Sequence, residues 1–127
     1  MRAIVVDASA VAAVLFDEPE SEPILASVAG ALVAPSLLLY ELASVCLAKL
    51  MRHPAEAPTI MARYRLFIDL DIEVVEPDWT TLPPLAREWS ITAYDAAYLQ
   101  LALTRKANLV TLDARLAAAY DKAQAAP

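Results

Sequence analysis

The sequence predicts an α/β fold, with one domain built on a mainly parallel, twisted sheet that carries helices on both faces. Two observations predict this class. Short β-branched runs alternate with longer segments in which apolar residues recur at helical spacing. The first run, 2–6, shows no polar alternation, which is typical of a strand buried on both faces. The 127 residues suffice for one such domain, to which we assign 1–127.

Local signals define each element in turn. Asp7 ends the first strand, and the Ala- and Val-rich segment after it predicts a helix. Pro35 and Pro54 bracket a long helix, because proline restricts the helical conformation of the residue before it. Pro83 and Pro84 restrict the next helix to a shorter segment, 82–89. The predicted strands are 2–6, 31–34, 72–75 and 108–111, and the predicted helices are 8–16, 21–28, 36–52, 56–70, 82–89, 94–106 and 114–123.

Composition excludes several classes of protein. A single glycine, Gly30, rules out a glycine-rich dinucleotide loop, and a single cysteine, Cys46, rules out an intrachain disulfide. Asp7 interrupts the first apolar run, which argues against an export signal and predicts a cytoplasmic location. Helix-breaking residues interrupt the charge-free stretch 23–40, so we expect no membrane span. The 59% hydrophobic content predicts a homodimer or another permanent partner.

Three carboxylates each stand alone in a long uncharged stretch: Asp7, Glu41 and Asp95. An ionised carboxylate without a partner is unfavourable away from water, and no Lys or Arg lies in these stretches. The carboxyl ends of parallel strands border the ligand crevice, so these acids and Asp113 would meet there and hold Mg²⁺. Crowding would raise at least one carboxyl pKa. Helix capping is the alternative for Asp95 or Asp113, but it does not explain Asp7 or Glu41.

Four short segments follow one another in an informative order: Val5-Val6-Asp7-Ala8-Ser9, Tyr40-Glu41-Leu42, Tyr94-Asp95-Ala96 and Leu109-Val110-Thr111-Leu112-Asp113. In order and spacing they resemble the PIN domain, and more closely the VapC-type toxins of bacterial toxin–antitoxin pairs. The resemblance implies an endoribonuclease that depends on Mg²⁺, or on Mn²⁺ as a substitute, and hydrolyses RNA by a metal-activated water. It also implies a cognate antitoxin that inhibits the chain, and a homodimer.

The resemblance also assigns roles to individual residues. It implies that four acids are catalytic and bind the metal: Asp7, Glu41, Asp95 and Asp113. Ser9 and Thr111 match the small hydroxyl positions that support these acids or their waters, since a hydroxyl can satisfy a spare carboxylate lone pair. Ordinary turn or cap hydroxyls are the alternative. The family often has Thr or Ser directly after the first acid, where this chain has Ala8.

Other polar and aromatic residues have simpler interpretations. The net charge of −6 argues against nucleic-acid binding, yet basic residues gather between two acidic clusters. We expect this basic group to contact RNA phosphates, with a solvated face as the alternative: Lys49, Arg52, Arg63 and Arg65. His53 is the only histidine and is predicted to have a helix-terminal role. Tyr40 and Tyr94 are predicted to pack against the acids and position them.

Three other functions fit parts of the pattern. A PIN-like module that binds protein without catalysis would share the fold. A haloacid-dehalogenase-like phosphatase needs an Asp two residues after its nucleophile, where this chain has Ser9. A receiver-type signalling domain needs a Lys after a late strand, where this chain has Asp113.

Overall fold

Four parallel strands form one sheet in the order β3-β2-β1-β4. The computed structural model describes residues 2–28 and 30–126. All three strand pairs are parallel, and Val5 of the central strand lies opposite Val33 on one side and Leu109 on the other. The predicted α/β class with a parallel sheet is confirmed. The strands are β1 (Ala3–Val6), β2 (Ala31–Pro35), β3 (Glu73–Val75) and β4 (Asn108–Val110).

Seven α-helices occur within the described ranges, and most of their bounds agree with the predicted ones to within about two residues. In the described part of the chain, no helix has the length and apolar character needed to cross a membrane. The helices are α1 (Ala8–Leu15), α2 (Ser21–Ser27), α3 (Leu37–Arg52), α4 (Ala57–Arg65), α5 (Leu82–Trp89), α6 (Ala93–Arg105) and α7 (Ala114–Ala125). Three short 3₁₀ helices cover Pro54–Glu56, Leu66–Leu70 and Trp79–Thr81.

The predicted helix over 56–70 is wrong in its last turn. α4 ends at Arg65, and the chain continues as a 3₁₀ helix to Leu70. Helices often tighten in this way at their ends, and here Asp71 then adopts a left-handed conformation with φ of 52° before β3. His53 ends α3 as predicted, with its backbone N–H donating to the Lys49 carbonyl at 2.8 Å.

Side chains of β1 alternate between two helical layers. Val5 packs on one face with Leu99 of α6 and Leu116 of α7. Ile4 and Val6 pack on the other face with residues of α1 and α3. Ile4, Val5 and Val6 are all buried, which explains why the strand carries no polar alternation in sequence.

The topology creates a crevice at the carboxyl ends of β1 and β4. The chain builds β1, β2 and β3 toward one edge and then returns to add β4 on the other side of β1. Ligands of open α/β sheets bind outside the strand ends at such a switch point. The Asp7 backbone N–H donates to the Val110 carbonyl at 3.3 Å and holds these two ends together.

Candidate active site

Asp7 is the most buried acid in the crevice, with 5% of its surface exposed. Its Oδ1 accepts hydrogen bonds from the Ser9 hydroxyl at 2.7 Å and the Ala10 backbone N–H at 3.0 Å. Its Oδ2 accepts from the Thr111 hydroxyl. Asp7 is therefore the N-cap of α1, and the expectation that capping does not explain it is wrong. The reason is that β1 leads directly into α1, so the residue that ends the strand also caps the helix.

Ser9 and Thr111 join the ends of β1 and β4 through Asp7. While donating to Asp7, the Ser9 hydroxyl accepts from the Leu112 backbone N–H at 2.9 Å. The Thr111 hydroxyl likewise accepts from the Asp113 backbone N–H at 2.9 Å. Each hydroxyl has one proton, and both protons point at Asp7, so the carboxylate is fixed as the acceptor of both.

Glu41 lies near the start of α3 and accepts a hydrogen bond of 2.5 Å from the Tyr98 hydroxyl. Tyr98 lies on α6 and is 2% exposed, so this bond links the helical layers from the two faces of the sheet. Burial and the neighbouring Glu41 raise the pKa of Tyr98, which keeps its hydroxyl protonated as a donor. Sequence reasoning missed Tyr98. The sequence feature that could have identified Tyr98 is its spacing of three residues from Asp95, which puts both side chains on one face of α6.

Asp95 and Asp113 both lie at helix starts, but only one of them is a cap. Thr92 is the N-cap of α6, and its hydroxyl accepts from the Asp95 backbone N–H at 3.0 Å. Asp113 caps α7 by accepting from the backbone N–H groups of Arg115 at 2.9 Å and Leu116 at 3.2 Å. The capping alternative is therefore right for Asp113 and wrong for Asp95, because a threonine three residues earlier takes the cap position.

Asp7, Glu41 and Asp95 are harder to ionise in the folded protein than in water. Burial is the largest cause that raises the pKa values of Asp7, Glu41 and Asp95, and nearby carboxylates raise all three further. Asp113 acts on Asp7 and Asp95 in this way. Hydrogen bonds from Thr111 and other donors oppose the rise without cancelling it. The predicted rise of at least one pKa is confirmed, with burial rather than crowding as its main cause.

The donor set fits a hard divalent cation by charge and by ligand type. Carboxylate oxygens are the ligands that Mg²⁺ and Mn²⁺ prefer. No Lys or Arg in the described ranges forms an ion pair with any of the four acids. In those same ranges, no three His, Cys, Asp or Glu side chains are grouped closely enough to hold a metal ion as they stand. The cation would therefore have to supply the positive charge that this acidic cluster lacks.

The predicted RNA-binding residues lie on the later parts of α3 and on α4: Lys49, Arg52, Arg63 and Arg65. Lys49 forms a salt bridge of 3.4 Å with Glu18 and lies 4.9 Å from the centre of the Phe16 ring. It follows Glu41 by about 12 Å along the axis of α3. Contact of this basic group with RNA remains a prediction.

Tyr40 and Tyr94 do not pack against the acids as predicted, since they are 77% and 68% exposed. The reason is clearest on α3. Leu38 and Leu42 are buried there and define the core-facing side of the helix, and Tyr40 lies midway between them in sequence. A residue in that position faces away from the core.

The chain matches one family model, described as the PIN domain, over residues 4–122. A solved structure of PAE2754 from Pyrobaculum aerophilum is similar with a TM-score of 0.74 and 23% identity, covering 93% of this chain and 86% of that one. A solved structure of Mycobacterium tuberculosis VapC20, described as a Sarcin-Ricin loop cleaving toxin, is similar with a TM-score of 0.63 and 19% identity. The match covers 91% of this chain and 94% of that one. Identities at this level show a shared fold. A comparison with curated proteins finds no match.

Proposed function

The chain belongs to the PIN domain family, and on that premise we propose that it is a metal-dependent endoribonuclease acting as the toxin of a toxin–antitoxin pair. The proposed domain spans 1–127. The observation that carries the proposal is the set of four acids at the carboxyl ends of β1 and β4. Burial and neighbouring carboxylates raise the pKa values of Asp7, Glu41 and Asp95, and none of the four acids forms an ion pair with a described basic residue. The similar fold of VapC20, described as a Sarcin-Ricin loop cleaving toxin, supports the toxin assignment.

Asp7, Glu41, Asp95 and Asp113 would hold Mg²⁺, or Mn²⁺ in its place. When bound, such an ion supplies an activated water and stabilises negative charge on the phosphate. The chain contributes orientation. Three hydrogen bonds fix Asp7, the Tyr98 hydroxyl fixes Glu41, and two backbone N–H groups fix Asp113.

Three helix N-termini also meet at these acids. α1 begins after Asp7, α7 begins after Asp113, and Asp95 lies in the first turn of α6. The positive end of a helix dipole favours negative charge. This field favours the ionised carboxylates, and it would also favour a phosphate group that binds over them.

The proposal includes a cognate antitoxin and a second copy of the chain as partners, and a cytoplasmic location. Large exposed apolar side chains support a permanent protein partner, since monomers rarely expose large apolar patches. These side chains come from α3 and the 3₁₀ helix after α4: Leu39, Leu47, Met51, Leu66 and Ile68.

The nuclease proposal is tested with purified protein freed of antitoxin and incubated with total cellular RNA. We expect cleavage with Mg²⁺ or Mn²⁺ and none with EDTA. The products should carry 5′-phosphate and 3′-hydroxyl ends, because water would attack the phosphorus and the bond from phosphorus to the 3′ oxygen would break, with that oxygen leaving as the hydroxyl. Products with 2′,3′-cyclic phosphate would contradict this chemistry. No cleavage by folded protein would instead favour the protein-binding module.

We expect Tyr98→Phe to lower cleavage roughly 10-fold at limiting metal, with partial recovery at high metal, because Glu41 loses the donor that orients it. Phe retains the buried ring, so the fold should persist. Single-turnover rates across a Mn²⁺ titration measure the effect.

Tyr120→Phe is the matched control, because it also removes one hydroxyl. That hydroxyl donates to the Ala107 carbonyl at 2.9 Å and accepts from the Gln124 side chain at 2.9 Å. An equal loss of activity in both variants would mean that Tyr98 acts only through general stability.

A further inference from the structure

A cavity of about 180 Å³ lies at the opposite end of α1 and α3 from Asp7 and Glu41. α1 starts after Asp7 and ends before Phe16, while α3 carries Glu41 near its start and ends before His53. A helix rises about 1.5 Å per residue, so the cavity lies roughly 12 to 18 Å from these two acids along the helices. Its lining includes Phe16, Lys49, His53, Glu56, Thr59 and Arg63.

Two permanent cations line this cavity, and one of them has no acid partner. Lys49 of α3 is paired with Glu18, and the His53 imidazole lies 3.7 Å from the Glu56 carboxylate. Arg63 of α4 is half-buried and forms no ion pair with an acid of the described ranges. The cavity therefore contains a guanidinium group that is free to bind an anion.

Thr59 adds a hydroxyl beside this guanidinium. Thr59 and Arg63 are four residues apart on α4, so they share one face of the helix, and both line the cavity. A guanidinium donates two parallel hydrogen bonds to two phosphate oxygens, and a hydroxyl can donate to another. Cavities that enclose whole small-molecule ligands begin near roughly 300 Å³, so this smaller one suits a single group of a larger molecule.

The surface over α1 and α3 leads from the acids to this cavity. Both helices begin at the carboxyl ends of parallel strands, and Val11 of α1 and Leu38 of α3 share one core cluster, so the two helices run side by side. Residues four apart form a ridge on a helix surface. One such ridge of α3 is Glu41, Val45, Lys49 and His53. An RNA strand bound at the acids can follow this ridge and reach the cavity within a few nucleotides.

We propose that the cavity binds a phosphate of the RNA substrate a few nucleotides away from the cleaved bond, with Arg63 and Thr59 as its main ligands. This inference rests on the proposed ribonuclease function. It brings together two members of the predicted basic group, Lys49 and Arg63, in one built site. It also adds Thr59 and His53, which the sequence did not connect with RNA.

The first test measures how salt affects the binding of a fluorescein-labelled oligouridylate of 12 nucleotides, in EDTA so that it stays intact. We expect Arg63→Ala to weaken binding roughly 10-fold at low salt and to reduce the slope of log affinity against log salt by about 0.7, the value for one phosphate contact of a single strand. Thr59→Val should weaken binding severalfold with the slope unchanged, because it removes a hydrogen bond and no charge.

Arg87→Ala is the charge-matched control. Arg87 is exposed on α5 and, like Arg63, forms no ion pair with a described acid. We expect this variant to bind the oligouridylate with the affinity and the salt slope of wild type.

The second test uses an RNA that the wild-type protein cleaves in Mn²⁺, with one phosphate at a time replaced by a neutral methylphosphonate. We expect a replacement at one position away from the cleaved bond to raise KM roughly 10-fold with kcat retained, and to cause no further rise in Arg63→Ala. This absence of a further rise would identify the phosphate that Arg63 binds.

Wild-type cleavage combined with an Arg63→Ala variant that binds RNA like Arg87→Ala would overturn the inference and leave the ribonuclease proposal intact. A lower melting temperature of Arg63→Ala with an unchanged salt slope would also overturn it, because Arg63 would then serve only the negative end of α4. Binding of a hexaglutamate peptide that requires Arg63, with RNA binding independent of it, would overturn the inference in favour of an acidic protein partner.

Two outcomes concern the ribonuclease proposal as well. RNA binding that requires Arg63, without cleavage by the wild-type protein, would support the phosphate site and overturn the ribonuclease proposal. Wild-type protein that neither binds nor cleaves RNA would overturn both proposals.

Discussion

Asp7→Asn is expected to reduce RNA cleavage at least 100-fold without unfolding the protein. Asp7 is the acid held most firmly in the site, through hydrogen bonds from Ser9, Ala10 and Thr111. The asparagine amide has no negative charge to offer a divalent cation, so the proposed metal site would lose one of its four carboxylates. Losses of this size are typical when a fixed electrostatic group of an active site is removed.

The fold should survive because asparagine meets the structural demands at this position. Asn caps helices about as well as Asp, so its carbonyl oxygen can accept from Ala10. The Thr111 hydroxyl can turn to accept from the new amide group. Burial raises the pKa of Asp7, which means that its ionised form is disfavoured in the folded state. The variant should therefore unfold at an equal or higher temperature than wild type at neutral pH.

Parallel measurements of cleavage rate and thermal unfolding check this prediction. Asp121→Asn is the charge-matched control, since Asp121 is exposed on α7. Cleavage at the wild-type rate by Asp7→Asn would refute the proposed metal core. A large loss of stability would show that the carboxylate is mainly a structural cap.

Mn²⁺ is expected to raise the melting temperature by roughly 10 °C near neutral pH when present at about 100 times its Kd, and by much less at pH 5. The raised pKa values of Asp7, Glu41 and Asp95 mean that the folded state binds more protons than the unfolded state above about pH 4. Stability therefore falls as pH rises from there through the raised pKa values. A cation that binds these carboxylates in the folded state stabilises that state and offsets the loss of stability. The effect is largest near neutral pH, where the carboxylates are more fully ionised than at pH 5.

Thermal unfolding with and without Mn²⁺ at pH 5.0 and 7.5 measures this coupling. Asp7→Asn should show little metal effect at either pH, while Asp121→Asn should behave like wild type. Equal stabilisation of wild type at both pH values would count against a carboxylate site, because the binding would then be independent of carboxylate ionisation.

Much of this fold was predictable because the chain marks its elements with strong local signals. β1 is apolar throughout, and proline residues bracket α3 and confine α5. The tightening of α4 into a 3₁₀ helix was not predictable, because the same apolar spacing suits either geometry over one turn.

The acids of the site were predictable from their isolation in uncharged sequence, but their local bonding was not. An Asp near a helix start has the same sequence pattern whether or not it caps that helix. Capping was therefore an open alternative for both Asp95 and Asp113, and the structure shows it only for Asp113. Tyr98 was missed because a tyrosine among apolar residues is usually core. Its hydroxyl becomes informative only once α6 is seen beside Glu41 on α3.

Asp7 both caps α1 and belongs to the proposed metal site, and this combination affects which mutations can inactivate the protein. A single G-to-A transition converts an Asp codon to an Asn codon. Since Asn preserves the cap of α1, that one event would yield a folded chain whose outer surface is unaltered. If the proposed toxin function holds, such a chain would still bind its antitoxin but would not cleave RNA. Inactivation by substitution of Asp7 thus needs no compensating substitution elsewhere. Truncation of a buried leucine such as Leu38 would instead destabilise the whole fold.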